Sequence, residues 1–107
     1  MAPATATPQR RAAPRIAIEL PLTFERAKRH GRPVAAHTLD LSRGGARVAT
    51  ERPLKVDEVL RFDLGCPDGA HVRGECRVLR EHVGQCYAVR FERVDAGAEA
   101  LERVTRA

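Results

Sequence analysis

The sequence predicts an all-β fold in which six short strands close into a barrel and one α-helix follows them. Three observations support this prediction. Apolar residues alternate with polar ones in several stretches, which is the pattern of strands. The stretches recur about every ten residues, with turn residues between them, and the C-terminal residues change to helical spacing. Closure into a barrel is favoured because a chain of 107 residues cannot easily cover two sheet faces and also protect the strand edges.

The first half of the chain predicts three strands, over residues 16–24, 34–41 and 46–50. Alternating apolar residues define the first of them, and Pro21, on the opposite parity, suggests an edge or a bulge. The KRHGRP segment, residues 28–33, predicts a turn because it contains glycine and proline. The SRGG segment, residues 42–45, separates the second strand from the third.

The second half predicts three further strands, over residues 60–64, 72–80 and 87–91. The GCPDGA segment predicts a turn at residues 65–70, and the EHVG segment predicts a break at residues 81–84. Asp95 is the expected N-cap of the helix. Ala98, Leu101 and Val104 follow at helical spacing, and we expect this stripe to cover one end of the barrel.

The aromatic residues fall on the inward parity of their strands and are expected in the core: Phe24, Phe62, Tyr87 and Phe91. Cys76 and Cys86 are expected to be small core residues on neighbouring strands. Three cysteines without a C-x-x-C pair fit a reducing compartment. The histidines and cysteines lack the short spacings of zinc sites, so no metal site is predicted.

Positive charge is concentrated in the N-terminal third of the chain. The net charge is +5, arginine supplies 17 of the 19 basic residues, and residues 34–107 carry equal numbers of acids and bases. Guanidinium groups suit an anionic partner, although a GC-rich genome also raises arginine content. No stretch approaches the roughly 18 apolar residues of a membrane span, and the N-terminus is unlike a signal peptide. We therefore expect a cytoplasmic protein.

Two short motifs stand out once the strands are placed. Arg11 and Arg15 form R-x-x-x-R just before the first strand, and Asp40, Ser42 and Gly45 form D-x-S-x-x-G between the second and third strands. Each motif alone is weak. The arginines could belong to a solvated basic tail, and the second motif could be an ordinary Asx, Ser or glycine turn. Their order, together with six predicted strands, makes the combination more specific.

On these residues the sequence resembles the PilZ domain family, whose members bind the bacterial second messenger cyclic di-GMP. The resemblance runs from about Arg10 to the C-terminal helix. It implies a six-stranded antiparallel β-barrel of the split-barrel type, with a C-terminal α-helix and a flexible N-terminal arm. It also implies a cytosolic bacterial setting and no catalytic activity. We expect one PilZ-like domain over residues 10–107, after a disordered lead of residues 1–9.

The resemblance implies the ligand site as well. Arginines matching Arg11 and Arg15 grip guanine edges and phosphates from the arm, which suits the bidentate guanidinium fork. Residues matching Asp40 and Ser42 contact the ligand from the barrel, and a glycine at position 45 allows close approach. Two further residues are counted with the site, namely Arg10, expected to stack on a guanine, and Gly44, at a position that the motif leaves free. Arg43 and Arg47 have less support.

The predicted function is a cyclic di-GMP receptor whose arm closes over the ligand and signals to an unidentified partner protein in motility, biofilm or polysaccharide control. No cofactor is predicted, and cyclic di-GMP is the only predicted ligand.

One alternative is a ligand-independent interaction module of the same family. Another is a small barrel that binds single-stranded nucleic acid, but such surfaces stack bases on aromatics, which are only 4% of this chain. No nucleophile–base pair, paired carboxylates or phosphate-cradling loop indicates an enzyme.

Overall fold

The computed structural model describes residues 14–26 and 32–106. In this part of the chain the elements are β1 Pro21–Arg26, β2 Val34–Ser42, β3 Gly45–Thr50, β4 Val59–Gly65, β5 His71–His82, β6 Cys86–Ala96 and α1 Ala98–Thr105. The strands form a closed barrel in the order β1-β2-β3-β6-β5-β4, and every neighbouring pair is antiparallel. The predicted six-stranded barrel with a C-terminal helix is confirmed.

Some sequence-based expectations fall on residues that the structure does not describe. The predicted lead, Arg10, Arg11 and residues 28–31 of the predicted turn lie outside the described residues. Among the helices of residues 14–26 and 32–106, none is long and apolar enough to cross a membrane.

Alternating side chains build the core, because successive residues of a strand point to opposite faces of the sheet. On β4, for example, Leu60, Phe62 and Leu64 are all buried. Phe24 and Tyr87 are buried as predicted, whereas Phe91 is half-buried. The rings of Phe62 and Phe91 nevertheless stack, with their centroids 4.7 Å apart.

The two cysteines on neighbouring strands differ in their burial. Cys76 on β5 is buried, as predicted, and Cys86 on β6 is only half-buried. Burial raises the pKa of the Cys76 thiol to about 12, with smaller contributions from nearby carboxylates. Cys76 is therefore an uncharged core side chain at neutral pH.

The loop between β3 and β4 closes one end of the barrel, which we call the lower end. Leu54 in this loop is buried, and its backbone N–H donates to the Tyr87 hydroxyl at 3.0 Å. Arg26 at the end of β1 forms an ion pair with Glu58 and donates to the Pro53 carbonyl at 3.1 Å. Hydrophobic contact and polar contacts thus hold the loop across this end.

The opposite, upper end holds the β2–β3 turn, the β4–β5 turn and α1. Asp95 is not the helix N-cap, because β6 remains paired with β5 as far as Ala96. Gly97 precedes the helix instead, with a φ of 84°, a backbone conformation that glycine adopts at little cost. The buried residues of α1 are Ala100, Leu101 and Thr105. Of the predicted stripe, Ala98 is exposed and Val104 is half-buried, so the buried face is rotated from the expected one.

The first predicted strand is shorter than expected. Only its second half forms β1, and Pro21 is the first residue of that strand, where the missing N–H is tolerated. The preceding residues 16–20 lie along β2 with a single β-bridge, between Ile16 and Leu41. Because they alternate between more and less buried positions, their sequence pattern resembles that of a strand.

Glu58 gives the fold a predicted acid sensitivity. Burial alone would raise the pKa of Glu58, but hydrogen bonds from Arg26 and the Lys55 backbone, with the charges of both residues, lower it overall. A pKa lowered by folding contributes stability that is present above the unfolded value of about 4.3. That stability is lost as the pH falls through the folded-state value.

We therefore expect Glu58→Gln to lower the free energy of unfolding by about 1 kcal/mol at pH 7, the size of a partly exposed ion pair. The difference from wild type should shrink as the pH falls towards about 3, below the carboxylate range. Urea unfolding at several pH values measures it, with Glu81→Gln, at an exposed β5 position, as the control. A Glu58→Gln difference that does not change with pH would count against this assignment.

Candidate ligand-binding site

The segment before β1 is fixed along β2 by hydrogen bonds. Ile16 and Leu41 exchange two backbone N–H···O bonds, both 2.9 Å long. The Thr38 hydroxyl accepts from the Leu20 N–H at 2.9 Å and donates to the Ile18 carbonyl at 2.6 Å. The Thr38 N–H donates to the Leu20 carbonyl at 3.0 Å. Residues 16–20 therefore occupy a defined path at the upper end of the barrel.

This path brings the two sequence motifs into contact. Arg15 Nη1 donates to Asp40 Oδ1 at 2.9 Å. Arg47 on β3 donates from Nε to Asp40 Oδ2 at 2.7 Å and from its backbone N–H to Oδ1 at 3.3 Å. The Asp40 side chain is 14% exposed, against 41% for Arg15 and 46% for Arg47. A well-covered carboxylate thus lies between two accessible guanidinium groups.

Arg47 had weak support from the sequence, although a usable signal was present. The β2–β3 hairpin pairs Ser42 with Gly45, Leu41 with Ala46 and Asp40 with Arg47. A two-residue turn at residues 43–44 fixes that register. Counting back from the turn would therefore have placed Arg47 opposite Asp40.

The Ser42 side chain has partners within the turn. Its hydroxyl accepts from the Gly44 N–H at 3.2 Å and donates to the Gly45 carbonyl at 3.3 Å. The Gly44 carbonyl accepts from the Phe91 N–H at 2.8 Å. The Ser-turn interpretation therefore describes the local geometry, and the turn is tied to β6.

The two glycines of the turn differ in their surroundings. Gly45 is buried, and a Cβ there would overlap the Val89 carbonyl oxygen of β6. Gly44 is exposed, and a Cβ there would meet no atom within 4 Å. The close packing of β3 on β6 is therefore sufficient reason for a glycine at position 45.

A cavity of about 190 Å³ lies where the segment before β1, the β2–β3 turn and α1 meet. Its lining residues come from all three elements: Pro14, Arg43, Glu102, Thr105 and Arg106. Pro14 directly precedes Arg15, so the cavity adjoins the Arg15–Asp40 pair. The sequence did not identify the helix residues of this lining.

The outer face of β4, β5 and β6 carries several ion pairs between neighbouring side chains. Asp63 accepts from Arg73 at 3.0 Å, and Arg90 contacts Glu92 at 2.7 Å. The hydrogen bond from Arg90 is the main reason that the pKa of Glu92 lies below its ordinary value. A cavity of about 240 Å³ on the β1–β4–β5 side is lined by both acids and bases, so it suits an anion less well.

Comparison with known proteins gives one family. A family model described as PilZ domain matches residues 9–107. Two curated relatives from Komagataeibacter xylinus, named putative cellulose synthase 2 and putative cellulose synthase 3, are each 39% identical over 77 residues. The match covers 68% of this chain but only 5% of each relative. The chain thus spans a small part of these relatives.

Two solved structures share the fold. The PilZ domain of CeSA from a cellulose-synthesizing bacterium superposes with a TM-score of 0.64 at 21% identity, covering 86% of this chain and 94% of that one. The Bacillus subtilis inhibitor of motility (MotI/DgrA) gives a TM-score of 0.72 at 19% identity, covering 91% of this chain and 49% of that one. At these identities the similarity concerns the fold.

The paired glycines provide a test of the turn. Gly45→Ala should lower the free energy of unfolding by about 1–3 kcal/mol, the usual cost of an overpacked site, because its Cβ would press on β6. Gly44→Ala is the matched control, and its effect should be within about 0.5 kcal/mol, as for surface substitutions. Urea unfolding measures both, and equal stabilities of the two variants would show that the β3–β6 approach does not require glycine.

Proposed function

The chain belongs to the PilZ domain family, and we propose that it is a receptor domain for cyclic di-GMP. The observation that carries this proposal is the 2.9 Å contact between Arg15 and Asp40, since each residue belongs to one of the two motifs that mark such a site. In this proposal the domain comprises residues 10–107, and residues 1–9 are a lead before it.

The proposed ligand suits the chemistry of these side chains. Cyclic di-GMP carries two phosphates and two guanines. A guanidinium fork engages the O6 and N7 acceptors of guanine bidentately and also binds phosphate oxygens. The proposed ligand-binding residues are Arg10, Arg11, Arg15, Asp40, Ser42, Gly44 and Gly45.

The ion pair of Arg15 with Asp40 is weak enough for Arg15 to contact a bound ligand instead. An accessible ion pair contributes only about 0–1 kcal/mol, whereas a charged hydrogen bond to a bound ligand contributes roughly 1.5–3 kcal/mol. If Arg15 turns to the ligand, Arg47 still neutralises Asp40 through its 2.7 Å contact. The exchange therefore does not leave the partly buried Asp40 carboxylate without a partner.

The fixed path of residues 16–20 also favours binding. Ordering a residue costs roughly 1–2 kcal/mol of backbone entropy, and the hydrogen bonds to Thr38 and Leu41 already order this segment. The ligand therefore does not have to supply that free energy. The backbone position of Arg15 is therefore preorganised for binding.

We expect binding to rearrange the N-terminal arm and to signal to a partner protein in the cytoplasm. The relatives support a role in control of polysaccharide synthesis or motility, because two are named putative cellulose synthases and a structural neighbour is named an inhibitor of motility. In this role the domain regulates and does not catalyse.

A ligand-independent interaction module is the second candidate. It is favoured by the hydrogen bonds that the site residues already make within the chain, since both Asp40 carboxylate oxygens and the Ser42 hydroxyl are engaged.

Binding of single-stranded nucleic acid is disfavoured. The chain's aromatic residues are buried or half-buried, whereas such surfaces need exposed aromatics for stacking.

Isothermal titration calorimetry with cyclic di-GMP separates these candidates. We expect wild type to bind, and Arg11→Ala and Arg15→Ala each to weaken the Kd by about tenfold or more, the loss of one charged hydrogen bond. Arg80→Ala, at an exposed position of β5, is the matched arginine control and should bind like wild type. No heat with wild type, or the same Kd in all four proteins, would favour the interaction module.

A further inference from the structure

Within residues 14–26 and 32–106, the side chains of two arginines at the cavity of the upper end contact no polar group of the fold. Arg43 lies in the β2–β3 turn and Arg106 follows the last turn of α1, and both line the 190 Å³ cavity together with Pro14, the residue before Arg15. Among the described residues, no side chain forms an ion pair with either arginine. By contrast, Arg73, Arg90 and Arg93 on the outer face of β5 and β6 are paired with carboxylates.

The local charge matches a ligand with two negative charges. Four guanidinium groups surround the cavity and the adjoining Asp40 site, and two carboxylates accompany them. The groups are Arg15, Arg43, Arg47, Arg106, Asp40 and Glu102. Among the described residues, the cavity lining and the neighbouring Asp40 cluster together carry two more positive than negative charges, while the chain beyond residue 33 carries equal numbers of acids and bases.

We propose that the ligand site extends onto α1, so that Arg43 and Arg106 contact the phosphates of cyclic di-GMP together with the motif residues. This inference rests on the proposed function. A ligand held in this way would bridge the segment before β1, the β2–β3 turn and the end of α1. The helix would then sense binding directly, and its last turn becomes a part of the surface that a partner protein can read.

A purely structural role for Arg106 has to be separated from ligand contact. A basic residue at the C-terminal end of a helix is stabilised by the helix dipole, so removing Arg106 affects the helix as well. Arg103 is the matched control, because it lies in the last helical turn, directly before Arg106 at the C-cap, but contacts Asp68 of the β4–β5 turn at 2.8 Å. Arg103→Ala and Arg106→Ala each remove a positive charge from the C-terminal end of the helix. Only Arg106→Ala also removes a charge from the cavity lining.

The experiment measures the Kd for cyclic di-GMP of wild type, Arg43→Ala, Arg106→Ala, Arg103→Ala and Glu102→Gln by isothermal titration calorimetry. We expect about three- to tenfold weaker binding for Arg43→Ala and for Arg106→Ala, since each contact is exposed. Arg103→Ala should bind like wild type. Glu102→Gln should bind more tightly, because it removes a negative charge from the cavity lining.

The outcomes distinguish this inference from the function on which it rests. Binding by wild type with an unchanged Kd in Arg106→Ala overturns the extension onto α1 and leaves the cyclic di-GMP site intact. Equal weakening by Arg106→Ala and Arg103→Ala also overturns it, because the helix charge alone would then explain the effect. Absence of binding by wild type contradicts the proposed function itself.

Discussion

The antiparallel bridge between Ile16 and Leu41 is the constraint on which the candidate site depends. Its two 2.9 Å hydrogen bonds place Arg15 opposite Ser42, and Asp40 lies on the same face because strand residues alternate. Leu41 itself is fully buried, so the bridge is anchored in the core. A slip of one residue would turn Arg15 away from Asp40. The backbone pairing thus converts two motifs that are distant in sequence into one charged cluster.

The two ends of the barrel differ in their contacts. At the lower end, Leu54 is buried and its backbone N–H donates to the Tyr87 hydroxyl. The Arg26–Glu58 ion pair joins the β3–β4 loop to the end of β1. At the upper end, the exposed Arg43 and Arg106 line a cavity between the segment before β1, the β2–β3 turn and α1. The upper end therefore exposes positive charges that an anionic ligand would neutralise. This difference is consistent with the proposed ligand site at the upper end.

Alternation predicted the strands well wherever one side of a strand faces the core. Residues 60–64 were predicted, and β4 spans Val59–Gly65. The prediction failed for the end of β6, because register shifts between β5 and β6 break the alternation after Phe91, so Asp95 resembled a helix cap. The two sequence motifs indicated that Arg15 and Asp40 belong to one site. The register of the β2–β3 hairpin would also have placed Arg47 opposite Asp40. Arg106 could not be placed, since its position depends on how α1 packs.

A titration of ¹⁵N-labelled protein with cyclic di-GMP, followed by NMR, tests the central claim most directly, because each backbone amide reports its own surroundings. The account predicts that the largest shift changes cluster at Ile16, at the β2–β3 turn from Leu41 to Gly45, and at Arg106. The amides of the lower end, such as those of Leu54 and Gln85, should change little. Changes centred on the lower end or on the outer face of β4 and β5 would contradict the account.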